Sequence, residues 1–114
     1  KLQPSVSAIE VFRDRKTQKE ALLAAKIPTS PFLSFDSKNQ LIDFLNQNGS
    51  SVVKKRTHGY DGFGTFFVKK ANDLDQQTPR ILDNAIVEKA VSFRRELAIT
   101  AVRDQQGCTL WLPL

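Results

Sequence analysis

Three glycines in six positions, Gly59-x-x-Gly62-x-Gly64, stand between two runs of β-forming residues, SVVKKR at 51–56 and TFFVK at 65–69. Strand, glycine loop, strand is the pattern of a hairpin. Alternation along the first run puts Val52, Lys54 and Arg56 on one face and Val53 and Lys55 on the other. Without a Cβ the loop backbone can adopt positive φ and come close to a ligand, and successive N–H groups can converge on an anion. The spacing matches neither G-x-G-x-x-G nor the P-loop, both of which lead into a helix. Two readings stay open: a loop that closes over phosphates with Lys54 as a fixed cation, or an ordinary glycine-rich hairpin turn.

Helical and β patterns alternate around this hairpin. Asp14 is a plausible N-cap for RKTQKEALLAAK, a stretch of good helix formers that predicts a helix over 15–26, ending before Ile27-Pro28. Residues 32–35 read as a short strand. Asp36 or Ser37 caps a second helix with Leu41, Phe44, Leu45 and Asn48 on one face, stopped by Asn48-Gly49. A short helix over 71–77 ends at Thr78-Pro79; strands follow at 85–88 and 96–102, and a turn at 104–107 returns the chain into 108–112. The expected class is α+β, with a largely antiparallel sheet and two main helices.

Composition narrows the functional classes. The 114 residues carry 17 Lys+Arg against 12 Asp+Glu, a net charge of +5. The basic clusters, Lys54-Lys55-Arg56, Lys69-Lys70 and Arg94-Arg95, are short and separated by acidic or apolar stretches, which favours a solvated surface with a few anion contacts over a nucleic-acid face. No apolar run approaches the roughly 20 residues of a membrane span. The single Cys108 excludes an internal disulfide and favours a reducing compartment, the cytoplasm. Met is absent, so the chain is expected to be a piece of a larger protein.

Three collinear segments carry a resemblance. VVKKRTHGYDGFG at 52–64 is similar to the "VK-x-R-x-GGYDG-x-G" segment of the ATP-grasp N5-carboxyaminoimidazole ribonucleotide synthetases, the ATPase subunit of phosphoribosylaminoimidazole carboxylase. Asp14-Arg15-Lys16-Thr17-Gln18-Lys19 with Ile27-Pro28-Thr29-Ser30-Pro31-Phe32 resembles that family's "DR…QK…(I/L)PTAP" region, and VEKAVSFRRE at 87–96 its "VE-x-x-(V/I)-x-F-x-x-E" region. The resemblance covers the chain from Arg13 onward. It implies an ATP-grasp lid subdomain over 14–84, a linker from a missing N-terminal domain over 1–13, and a hinge with the first strands of the next lobe over 85–114.

The same resemblance implies roles. Lys54 would contact the adenine edge and the α-phosphate. Gly59, Tyr60, Asp61, Gly62, Phe63, Gly64 and Thr65 would form the lid over the β- and γ-phosphates. Glu88, Lys89, Ala90 and Val91 would read adenine through backbone groups, Glu96 would bind the ribose hydroxyls, and Arg15 would add a further ATP contact. The implied whole enzyme is a carboxylating ligase of purine biosynthesis: ATP phosphorylates bicarbonate, and carboxyphosphate or its CO2 carboxylates the amine of 5-aminoimidazole ribonucleotide, leaving ADP and phosphate. Its Mg2+ ligands would lie beyond these residues, so the segment alone is expected to bind ATP weakly and not turn over. A cytoplasmic homodimer is implied, with no nucleic-acid or membrane partner. Another ATP-grasp ligase with a different acceptor, and a basic binding module without catalysis, remain the alternatives.

Against the family pattern, His58 replaces a usual glycine, Phe63 a usual Lys or Arg, and Thr65 a usual Gln. Cys108 is expected to be a buried small hydrophobe, and Phe66, Phe67 and Trp111 to be core.

Overall fold

The computed structural model describes residues 4–58, 64–74 and 83–112. Helix α1 spans Val6–Arg13, α2 Arg15–Ala24 and α3 Lys38–Asn48; strands are β1 Phe32–Phe35, β2 Ser51–Lys55, β3 Thr65–Val68, β4 Ala85–Lys89, β5 Thr100–Arg103 and β6 Thr109–Leu112, with a 3-10 turn at Ala71–Leu74. The mixed helical and antiparallel class expected from the sequence is the one observed. The 1–13 segment, read as linker, contains α1, whose N-cap Ser5 accepts the Ala8 N–H.

Local chemistry sets the helix ends. The Asp14 side chain accepts the Lys16 N–H and opens α2. Two residues short of the expected end, Lys26 turns to φ 58, the Ile27 N–H reaches the Leu22 carbonyl and the Lys26 N–H that of Leu23. That bonding pattern is a Schellman stop with Lys in the place glycine usually takes. Ser37, rather than Asp36, caps α3 through the Gln40 N–H, and Gly49 at φ 75 closes it.

The main sheet has the order β1-β4-β2-β3, every pair antiparallel. β4 is therefore an interior strand, inserted between β1 and β2, although it comes last of the four in sequence, and the expected boundary at 84/85 falls inside this sheet. Its AIVEK sequence suits that place: Ala85, Ile86 and Val87 are all buried, as a strand covered on both faces requires. One face carries the core, where Phe35, Val53, Val68, Ala85 and Val87 pack with Leu41, Phe44 and Leu45 of α3 and with Leu74. The opposite face presents Phe32, Ile86, Glu88, Val52, Lys54 and Phe67 by the strand register.

β5 and β6 form a separate hairpin. Its turn is the expected one, with Gly107 at φ 90 and the Asp104 side chain accepting the Cys108 N–H. Pairing begins only at Thr100, so residues 96–99 are not in the strand expected there. Three burial expectations fail. Cys108 is exposed, as are Trp111 (61%) and Phe67 (63%), because among the described residues no layer packs over them on the hairpin or on the second face of the main sheet. Phe66 alone of the expected set packs against the core. The expected helix over 71–77 is a 3-10 turn through Leu74, and 75–77 lie outside the described residues.

Candidate functional site

The second face of the main sheet carries a cleft of about 220 Å3, floored by Val52 and Lys54 of β2, Phe67 of β3 and Glu88 of β4, and walled by Ser30 and by Lys89, Ala90, Val91 and Phe93 where the chain leaves β4. Register explains the meeting of Lys54 with Glu88. Val52 stands opposite Glu88 and Lys54 opposite Ile86, so Lys54 and Glu88 are diagonal neighbours on one face, within reach of a long side chain. Lys54 Nζ donates to Glu88 Oε2 at 3.2 Å. The sequence reading anticipated both residues and not their pairing.

A second ammonium reaches the same oxygen. Lys19 of α2 places Nζ 3.3 Å from Glu88 Oε2. It also donates to Thr29 Oγ1 at 2.7 Å and Ser30 Oγ at 3.1 Å, and lies 5.4 Å from the centre of the Phe32 ring. Lys19 is 8% exposed, a burial lysine tolerates only when paired. The resemblance quoted Lys19 within its motif without a role. The available signal was a lysine on a helix that also carries Leu22, followed by two hydroxyl residues in the turn.

The exit of β2 toward the glycine loop is tied to the start of α2. Arg56 Nε donates to Asp14 Oδ1 and Oδ2 at 3.0 and 3.1 Å, and its Nη2 also donates to Oδ2. This hydrogen bonding holds the Asp14 carboxyl below its ordinary range and raises the Arg56 guanidinium, with burial opposing each. The Arg15 N–H donates to the Arg56 carbonyl at 3.0 Å and Arg15 Nε to the Lys55 carbonyl at 3.1 Å. From the other side the Arg56 N–H donates to the Asn84 carbonyl at 2.8 Å. Arg15 thus packs at the root of the loop and is not among the residues lining the cleft.

Of the remaining expected site residues, Gly59, Tyr60, Asp61, Gly62 and Phe63 lie outside the described residues. Gly64, at φ 83, gives its carbonyl to the Lys55 N–H at 2.9 Å, and Thr65 pairs with Lys54 as the first residue of β3. His58 takes φ 60, the conformation that explains why glycine suits this position. The Lys89 N–H is spent on the Pro31 carbonyl and the Ala90 N–H on that of Ser50, both at 2.9 Å. Glu96 is exposed in the irregular stretch after β4 and does not line the cleft. Among the described residues no three His, Cys, Asp or Glu side chains gather as a metal site, and no helix is long and apolar enough to cross a membrane.

The chain is similar in sequence and fold to known proteins. The family model of the ATP-grasp domain matches residues 20–114. The N5-carboxyaminoimidazole ribonucleotide synthase of Haemophilus influenzae is 35% identical over 105 residues, which make up 91% of this chain and 29% of that protein. Carboxyaminoimidazole ribonucleotide synthase from Aspergillus clavatus, solved with ATP, superposes with a TM-score of 0.90 at 29% identity, over 99% of this chain and 30% of that one. The enzyme from the same fungus solved with ADP and 5-aminoimidazole ribonucleotide gives a TM-score of 0.85 at 26% identity, over 99% and 30%. The chain spans about three tenths of the length of these relatives.

Proposed function

The chain belongs to the ATP-grasp family, and from that membership we propose that it is the ATP-binding segment of an N5-carboxyaminoimidazole ribonucleotide synthetase. The observation that carries the reading is the pairing of Lys54 with Glu88 in a cleft between the strand that enters the glycine loop and the strand that opens the hinge. Lys54 meets the adenine edge and the α-phosphate as a charge held on a strand. Residues 59–65 close over the β- and γ-phosphates, where backbone N–H groups and exclusion of water add to charge neutralisation. Adenine is read at the hinge from Glu88 to Val91. Since the N–H groups of Lys89 and Ala90 are committed within the fold, the donor to the adenine ring falls to the Val91 N–H, and carbonyls of the same stretch take the exocyclic amine. Arg15 and Glu96 supply the outer ATP contacts.

In the whole protein, bound ATP phosphorylates bicarbonate, and the carboxyphosphate or its CO2 carboxylates the amine of 5-aminoimidazole ribonucleotide, releasing ADP and phosphate. Mg2+ would neutralise phosphate charge in such a transfer. The described residues offer it no cluster of three acidic, His or Cys ligands, and its ligands would come from the rest of the whole protein. Residues 14–84 with β4 act as the lid over the nucleotide, and the β5–β6 hairpin starts the lobe beneath it. A homodimer in the cytoplasm belongs to the same reading of the whole enzyme.

The test is ADP release by the complete gene product, with bicarbonate and 5-aminoimidazole ribonucleotide present or omitted. Release that needs both supports the acceptor; release with neither overturns it. Lys54→Ala is expected to raise the ATP KM by about a hundredfold or abolish turnover, the scale of a lost charge contact to phosphate. Unchanged kinetics would remove Lys54 from the site.

A further inference from the structure

The cleft holds one carboxylate between two ammonium groups. Glu88 Oε2 accepts from Lys54 at 3.2 Å and lies 3.3 Å from Lys19 Nζ, and among the described residues Glu88 is the one acidic side chain lining the cleft. The two lysines are not equivalent. Lys19 is nearly covered: its ammonium donates to Thr29 Oγ1, Ser30 Oγ and the Ser30 carbonyl and pairs with the Glu88 carboxylate at 3.3 Å. The Lys54 side chain keeps 30% of its surface open and has Glu88 as its partner. A ligand entering the cleft therefore meets Lys54 and not Lys19.

We propose that Lys19 is a positioning residue that acts through Glu88: by taking up the Glu88 carboxylate from behind, it leaves the charge of Lys54 available to the phosphates of a nucleotide. Two ammonium groups and one carboxylate carry a net charge of +1, whereas Lys54 and Glu88 alone form a neutral pair. Lys89 at the cleft wall adds to this charge, so Lys19 makes the cleft more positive by one charge, at the Lys54–Glu88 pair itself, without touching the ligand. In a partly covered cleft such a difference is felt strongly, because nearby charges are poorly screened. The inference rests on the ATP reading above and names a residue outside the set that reading uses.

Lys19 also ties down Thr29 and Ser30, so its loss could act by loosening the turn before β1. Charge and tether are separable. Binding of ATP and of inorganic tripolyphosphate, which has no adenine to contact the hinge, is measured by titration calorimetry on the complete protein and on Lys19→Met, Glu88→Gln and the double variant. Lys19→Met is expected to weaken tripolyphosphate by about tenfold, and Glu88→Gln to tighten it by about threefold or more, as charges near the anion are removed. The double variant is expected to match wild type, with the affinity regained beyond the roughly threefold deficit that independent effects would leave, because the neutral amide no longer competes for the charge of Lys54.

Wild-type affinity in Lys19→Met overturns the inference. So does a loss that persists undiminished in the double variant, since a tether is not restored by changing Glu88. If Lys19→Met does not fold, Glu88→Gln alone decides: no tightening of tripolyphosphate overturns the proposal. A wild-type protein that binds neither ATP nor tripolyphosphate overturns the ATP reading itself, whereas binding by wild type that is indifferent to these substitutions overturns the role of Lys19 alone.

Discussion

Replacing Asp14 separates two jobs done by one carboxylate. Its Oδ1 accepts the Lys16 N–H at 2.8 Å and caps α2, while both oxygens take the Arg56 guanidinium at the end of β2. Asparagine keeps the cap and loses the ion pair; alanine loses both. With side-chain exposures of 18% for Asp14 and 27% for Arg56 the pair is mostly shielded, and charge-assisted hydrogen bonds of this kind contribute about 2 kcal/mol. A cap adds about 1 kcal/mol. Asp14→Asn is therefore expected to lower the unfolding free energy by about 2 kcal/mol and Asp14→Ala by about 3 kcal/mol. For a urea slope of about 1.5 kcal/mol/M the midpoints fall by about 1.3 M and 2 M, read by far-ultraviolet circular dichroism. The pH dependence supplies the check. Arg56 holds the folded Asp14 carboxyl below its ordinary value of 3.8, so the contribution is complete above that value and is lost as pH falls through the lower, folded one. The gap between wild type and Asp14→Asn should be full at neutral pH and narrow as pH falls below the ordinary carboxyl value of 3.8. Equal stability of the two proteins at pH 7, or a gap that does not narrow in acid, would show that Arg56 is not the partner that matters.

Three further outcomes follow from backbone and core. His58→Gly relieves a left-handed residue at φ 60 and is expected to stabilise the protein by about 0.5–1 kcal/mol; a lower melting temperature would mean that the hydrogen bond between His58 Nδ1 and Thr57 Oγ1, 3.1 Å long, outweighs the strain. Gly64→Ala meets both φ 83 and the Lys55 side chain 3.0 Å from the new Cβ, and a loss of about 1–2 kcal/mol in urea unfolding is expected. An unaffected midpoint would show that the β2–β3 connection shifts freely. Leu41→Ala removes a side chain that is 1% exposed between α3 and the sheet, with an expected cost of about 3 kcal/mol, and a cost under about 1 kcal/mol would mean that the core collapses to fill the space.

What the sequence made legible is what depends on neighbours along the chain. Asp14 and the α2 segment, Ser37 and Gly49 around α3, and Asp104 to Gly107 in the last turn are local signals, and each sits where the structure uses it. Glycine at the loop margin was legible for the same reason: Gly64 and the non-glycine His58 both adopt positive φ. Helix α1 is displayed in the sequence by Ser5 followed by Val6, Ile9 and Phe12, a cap with helical spacing, and reading residues 1–13 as a connection overlooks that period. Burial of Phe67, Trp111 and Cys108 was misjudged because apolar character says that a residue can be covered and not whether anything lies over it.

The candidate site marks the limit of such reading. Lys54 and Glu88 are 34 residues apart and Arg56 and Asp14 are 42 apart, and no periodicity in either segment announces the partner. What joins them is the insertion of β4 between β1 and β2, which sets Glu88 opposite both Phe32 and Val52. With Phe32 on one side, Glu88 comes under Lys19 of α2; with Val52 on the other, it comes within a diagonal of Lys54. Were β4 an edge strand beside β1 alone, the same residues would leave Lys54 without its carboxylate and the cleft without its shared charge. The chemistry of the site is thus a consequence of strand order, and strand order is decided by the burial of Ala85, Ile86 and Val87 on both faces. Those three apolar residues immediately ahead of Glu88 are the part of the site that the sequence does display.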